Sequence, residues 1–162
     1  MDDKRAGPLI AAATFLGLGL GGFIDGILLH QILQWHQMLS NILPPDTLEN
    51  AKVNMFWDGI FHAGTWVLTF VGVMLLWRLL GRGGGVFSKL VFFGGLIFGW
   101  GVFNIMDSVF NHYLFAFHNV REEVANPQRW NHGFLVFGLA QAIAGWVMIR
   151  RGQGRRTDSQ IS

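Results

Sequence analysis

Four stretches of the chain are almost unbroken apolar runs, separated by short polar segments. They extend from about Pro8 to Trp35, Phe56 to Leu80, Leu90 to Phe117 and Phe134 to Ile149. A hydrocarbon core about 30 Å thick is crossed by roughly 20 apolar residues of helix, so the pattern predicts four membrane-spanning helices. A polar loop with Pro44-Pro45, a glycine turn from Gly81 to Gly85 and a charged loop from Arg121 to Asn131 connect them. Short connections make antiparallel neighbours. The expected fold is all-α: an integral-membrane, up-down-up-down four-helix bundle, one domain over residues 1–162 ending in a basic tail, 151–162.

The polar residues that interrupt the apolar runs repeat. FIDGILLHQILQWH (23–36) aligns without a gap on IMDSVFNHYLFAFH (105–118), matching Asp25 with Asp107, His30 with His112 and His36 with His118. Each copy follows a glycine-rich run, Gly17 to Gly22 and Gly94 to Gly101. The pattern reads as two duplicated helical hairpins, about 8–80 and 89–150, related by a pseudo-twofold axis along the membrane normal. The even spans add Trp57-Asp58-Gly59-Ile60-Phe61-His62 and Trp130-Asn131-His132, which do not superpose well, so the duplication is clearer in the odd spans.

Charge sets the orientation. Lys4, Arg5, Arg78, Arg82, Lys89 and the arginines from Arg150 to Arg156 fall at one end of the bundle, and basic flanks face the cytoplasm. Both termini are therefore expected in the cytoplasm, with all 6 histidines at the opposite, exoplasmic end. Lys4-Arg5 before an apolar run has the look of a signal peptide. No A-x-A site follows, so the first span is expected to be retained. Composition agrees with a membrane protein: 51% of residues are hydrophobic and only 14% charged, against about 25% charged in a soluble domain. The absence of cysteine excludes disulfides, thiolate metal sites and a thiol nucleophile. Basic residues gathered at one membrane face point to lipid headgroups. The expected partners are thus the lipid bilayer, with a homo-oligomer or another membrane complex as further candidates, and no nucleic acid.

Ionisable groups inside a span cost several kcal/mol and normally face the bundle interior for a purpose. Nine such residues gather here: Asp25, His30, His36, Asp58, His62, Asp107, His112, His118 and His132. Imidazole with carboxylate suits copper, zinc or iron. On a regular helix Asp25 and His30 lie about 140° apart, and Asp25 and His36 about three turns apart. Convergence therefore requires either a π-bulge, which brings i and i+5 onto one face, or a second, shallower site. The expectation is a metal held by His30, His62, His112 and His132, with the aspartates as ligands or orienters and His36 and His118 capping it or forming the second site. Met38, Met55 and Met106 nearby incline the metal toward copper. The competing readings are a haem ligated by facing histidines, a transporter using the aspartates as relays, and a non-catalytic accessory subunit whose polar cluster only joins helix ends.

Other motifs carry no chemistry. Gly17-Leu18-Gly19-Leu20-Gly21-Gly22 fits G-x-G-x-x-G but lies inside a span and follows no strand. Gly81 to Gly85 lacks the Lys-Ser/Thr of a phosphate loop.

GFIDGILLHQILQWH, DGIFHAGTW and DSVFNHYLFAFHNVRE resemble a family of small bacterial and archaeal four-helix membrane proteins classed as a domain of unknown function. The likeness covers nearly the whole chain and implies the four-span fold and a prokaryotic cytoplasmic membrane; it implies no activity. Asp58-x3-His62 is also similar to the short Asp/His helix motif of the copper-binding membrane subunit of particulate methane and ammonia monooxygenases. That likeness implies copper.

Overall fold

A computed structural model describes residues 3–81 and 88–158, with side chains from 6–81 and 88–154. Most of the glycine turn and the last four residues of the basic tail lie outside the described residues, as do the side chains of Lys4, Arg5, Arg82, Arg155 and Arg156. All regular structure among the described residues is helical. The helices are α1 (Asp3–Ile24), α2 (Leu48–Gly81), α3 (Lys89–Asp107) and α4 (Pro127–Asp158), and each of the four spans is long and apolar enough to cross a membrane. The first and third spans do not end as α-helix. α1 runs on as a π-helix over Asp25–Ile32, and α3 as another over Ser108–Leu114.

The helices meet in the order α2, α1, α3, α4. This departs from a bundle in which every sequential neighbour packs closely: α1 and α3 form the middle pair and each carries its hairpin partner outside. Glycine explains the arrangement. A Cβ on Gly17 would strike the Leu96 carbonyl, and one on Gly99 would strike the Thr14 carbonyl, so the two backbones touch at their crossing. Gly19 lies as close to Thr69 of α2, and Gly101 to Ala142 of α4. These contacts are reciprocal. Residues of α1 map onto α3 at a spacing of 82 (25 to 107) and those of α2 onto α4 at 73 (57 to 130), so the pair Gly19/Thr69 becomes Gly101/Ala142. The duplication thus reaches the even spans: Trp57-Asp58 corresponds to Trp130-Asn131. A gap-free comparison misses this because the first hairpin's loop is nine residues longer (82 against 73).

One end of the molecule is dry. Leu9 of α1, Leu79 of α2 and Val91 of α3 form its buried apolar cluster, and Ile149 of α4 is equally enclosed. At the other end the buried residues are polar: Asp25, His30, His36, Asp58, Asp107, His112, His118 and Asn131. The outer faces of α2 and α4 present Trp66, Phe70, Trp77, Val136, Ile143 and Trp146, an apolar surface suited to lipid.

Candidate metal centre

The π-helices place the first two members of each repeat. Five residues in α-geometry leave Asp25 and His30 on different faces; the wider π turn aligns i with i+5. His30 Nε2 lies 3.3 Å from Asp25 Oδ2, and His112 Nε2 lies 3.1 Å from Asp107 Oδ2. Each π-helix ends in the same way. Leu33 and Phe115 donate five residues back, to the Leu28 and Phe110 carbonyls, and Trp35 and Phe117 donate six back, to Leu29 and Asn111. Gln34 and Ala116 then take left-handed backbone, with φ of 51° and 49°. The chain reverses there, and His36 and His118 fold back over the end of the bundle.

The two reversed segments cross. His36 Nδ1 donates to the Val120 carbonyl at 2.8 Å, and His118 Nδ1 donates to the Met38 carbonyl at 3.1 Å, a reciprocal pair. The backbone N–H of Met38 donates to Asp58 Oδ1 and that of Val120 to Asn131 Oδ1, both at 2.9 Å. Asp58 and Asn131 therefore hold equivalent positions as acceptors that pin the crossing loops to α2 and α4. Asp58 also binds the π-helix of its own hairpin. Its Oδ1 takes the Nδ1 proton of His30 at 3.0 Å, and its Oδ2 accepts from Gln31 at 3.1 Å. Sequence reasoning missed Asn131, although the shared Trp before it and before Asp58 could have found it.

The result is a packed group of four imidazoles. His36 stacks on His118 with ring centroids 4.4 Å apart, His30 meets His36 edge to face at 4.3 Å, and His112 meets His118 at 5.0 Å. One nitrogen each of His30, His36 and His118 lies within 4.8 Å of the others, and so do one ligand atom each of Asp107, His112 and His118. The fold therefore brings together Asp25, His30, His36, Asp107, His112 and His118, with Asp58 bonded behind His30.

Two expected members are elsewhere. His62 is half-buried beside Phe23 and Phe61, with Nδ1 bonded to the Asp58 carbonyl at 2.7 Å. His132 is exposed, its Nδ1 on the Gln128 carbonyl and its ring near Tyr113. The reason is geometric. The reversals at Gln34 and Ala116 bring His36 and His118 into the central space, and the equivalents of His62 and His132 in the other hairpin are Leu135 and Gly59. Asp58 and His62 likewise do not chelate as an i,i+4 pair, because the carboxylate turns to His30 and the imidazole to its own helix backbone.

Protonation follows from these partners. The Nδ1 atoms of His36 and His118 face backbone carbonyls, so they carry the proton and leave Nε2 as a lone pair; His30 instead lies between two carboxylates, Asp58 at Nδ1 and Asp25 at Nε2. Burial disfavours imidazolium: it pushes His118 down to about 4 and His36 well below its usual range, with the positive charge of neighbouring histidines adding to the effect in each. Both are neutral at pH 7, the form in which imidazole binds metals. Several buried atoms have no hydrogen-bond partner within the protein: both Asp25 oxygens, Asp107 Oδ2, Nε2 of His30, His36 and His118, and both His112 nitrogens.

Compared with known families, residues 12–152 match one described as "Predicted membrane protein (DUF2243)". Neither the curated proteins nor the solved structures give a match.

Proposed function

The chain belongs to the DUF2243 family of membrane proteins, and from that premise and the geometry of its polar end we propose that it is an integral-membrane metal-binding protein. The ion is held among His30, His36, His112, His118, Asp25 and Asp107, with Asp58 orienting His30, and it serves redox chemistry or metal handling.

One observation carries this reading: imidazole nitrogens and carboxylate oxygens converge in a buried space, and Nε2 of His36 and of His118 has no hydrogen-bond partner in the protein. An unsatisfied buried polar group costs about 1–3 kcal/mol, and more when charged. A cation answers the inward imidazole nitrogens together with Asp25 Oδ2 and Asp107 Oδ2. The Nδ1 bonds to Val120, Met38 and Asp58 are the outer contacts that fix tautomer and ring orientation in metal sites. The donors are imidazole and carboxylate. Met38 enters through its backbone N–H and carbonyl, so thioether no longer argues for copper. The affinity order of nitrogen and oxygen sites for divalent ions still puts copper first, ahead of zinc and iron. The opposite end, closed by Leu9, Leu79, Val91 and Ile149, favours a one-sided site over a conduit across the membrane. The charge rule supports an exoplasmic position for the site, and the family resemblance supports a prokaryotic cytoplasmic membrane.

Elemental analysis of detergent-purified protein, equilibrated with equimolar copper, zinc and iron, tests the proposal. Wild-type protein and the His62→Ala and His132→Ala variants are expected to retain copper stoichiometrically. His36→Ala/His118→Ala is expected to lose it. Equal, negligible metal in all four samples would falsify the reading.

A further inference from the structure

A cavity of about 550 Å³ lies between the first span and α4, with Asp25 in its lining. Its volume is that of a small-molecule site, about 300–1,000 Å³. Its walls are mainly apolar and include five aromatic residues, Trp35, Trp100, Trp130, Phe134 and Phe137. Ile24, Leu28 and Phe137 are also exposed on the outer surface, which in a membrane faces lipid. Trp35 and Trp130 meet edge to face at 5.2 Å beneath the Arg121 guanidinium, which sits 4.8 and 5.1 Å from the two rings.

We propose that this cavity binds a lipid-soluble phenol, whose ring lies against the tryptophans and whose hydroxyl donates to the Asp25 carboxylate. Asp25 is 3% exposed, and neither of its oxygens has a hydrogen-bond partner. Oδ2 faces His30, so Oδ1 is the oxygen left to accept. Oδ1 is buried, lines the cavity and meets no donor from the protein, so a ligand beside it is expected to bring a hydrogen. Arg129 lines the cavity and Arg121 lies over two of its tryptophans, which disfavours an ammonium and selects a neutral hydroxyl.

The other hairpin supplies the internal comparison. Its equivalent groove, between α2 and α3, holds about 320 Å³ and contains Asp107. There Phe103 and Phe110 stand where the first half has Gly21 and Leu28, and Asn111 stands where it has Leu29. Asn111 donates to Asp107 Oδ1 at 2.7 Å. The second half thus satisfies Oδ1 of its own carboxylate and fills more of its own space. The first half does neither, because Leu29 has no hydrogen to give.

The site goes beyond the metal reading and does not depend on a bound ion. It is tested on the full-length protein in detergent, by titrating tryptophan fluorescence with trimethylphenol and, in parallel, with trimethylbenzene, while metal content is measured on the same samples. The phenol is expected to bind saturably, at least about tenfold tighter than the hydrocarbon. Leu29→Asn, which copies Asn111, is expected to weaken phenol binding by about tenfold and to leave metal content and trimethylbenzene binding unchanged. Equal affinity for the two probes would show a groove filled by any apolar chain, and that or an unaffected Leu29→Asn overturns the proposal. Phenol binding in protein that holds no metal would sink the metal reading alone; metal retention without discrimination between the probes would sink this one alone.

Discussion

At the scale of single residues, the histidines divide by what occupies Nδ1. In His36 and His118 a carbonyl from the other hairpin takes the Nδ1 proton, the ring is enclosed, and Nε2 is left without a partner. In His62 and His132 the acceptor is a carbonyl of the same helix, and the ring stays at the surface or half-buried. The buried pair makes stability depend on pH. An unfolded histidine titrates near 6.5 and His118 in the fold near about 4. Between these values the unfolded chain binds more protons, so unfolding free energy falls as pH falls. The contribution is complete above about pH 7 and is lost by about pH 4, up to about 3 kcal/mol for His118 in protein without metal. Tryptophan-monitored thermal unfolding at a series of pH values should show the midpoint dropping through this window, with a smaller drop in His118→Gln. A flat midpoint from pH 7 to 4 contradicts the assignment.

At the scale of elements, the device that builds the site is a π-helix followed by a left-handed residue, used twice. The sequence raises the need for it, since Asp-x4-His cannot converge on regular α-helix, and the π alternative is the one realised. The reversal at Gln34 and Ala116 is not written in the sequence, because neither position is the glycine that a left-handed backbone usually takes. A non-glycine residue there costs about 1–2 kcal/mol. Ala116→Gly is therefore expected to stabilise the protein by about 1 kcal/mol and Ala116→Val to destabilise it by more, read as opposite shifts of the unfolding midpoint. Shifts in the same direction would mean that the turn is not held left-handed. The pairing of Asp58 with Asn131 was hidden for a different reason. The spacing of the repeat changes from 82 to 73 between odd and even helices, and the shared job of accepting from Met38 and Val120 identifies the two as equivalents.

At the scale of the whole molecule, the middle pair α1 and α3 depends on backbone contact at Gly17 and Gly99. Small residues allow this approach where lipid supplies no hydrophobic drive between helices. Gly17→Ala and Gly99→Ala should each cost about 1–3 kcal/mol by overpacking. Gly59 and Gly64 of α2 have open space around the same atom, so their alanine variants should unfold like wild type. Comparable losses at all four glycines would remove the crossing as the cause. The twofold relation is carried by the glycines, the π-helices and the crossing loops. It breaks at the cavities, where Gly21, Leu28 and Leu29 face Phe103, Phe110 and Asn111 across the axis.

The chain alone determined the four spans, the duplication and the gathering of histidines and aspartates at one end, because each depends on local hydropathy or residue identity counted along the sequence. Tertiary structure decided which imidazoles meet. That choice depends on left-handed reversals without glycine and on loops that cross between hairpins, contacts between residues some 80 positions apart. For the same reason His62 and His132, which look like ligands when read along a helix, lie outside the cluster, whereas His36 and His118 occupy its centre.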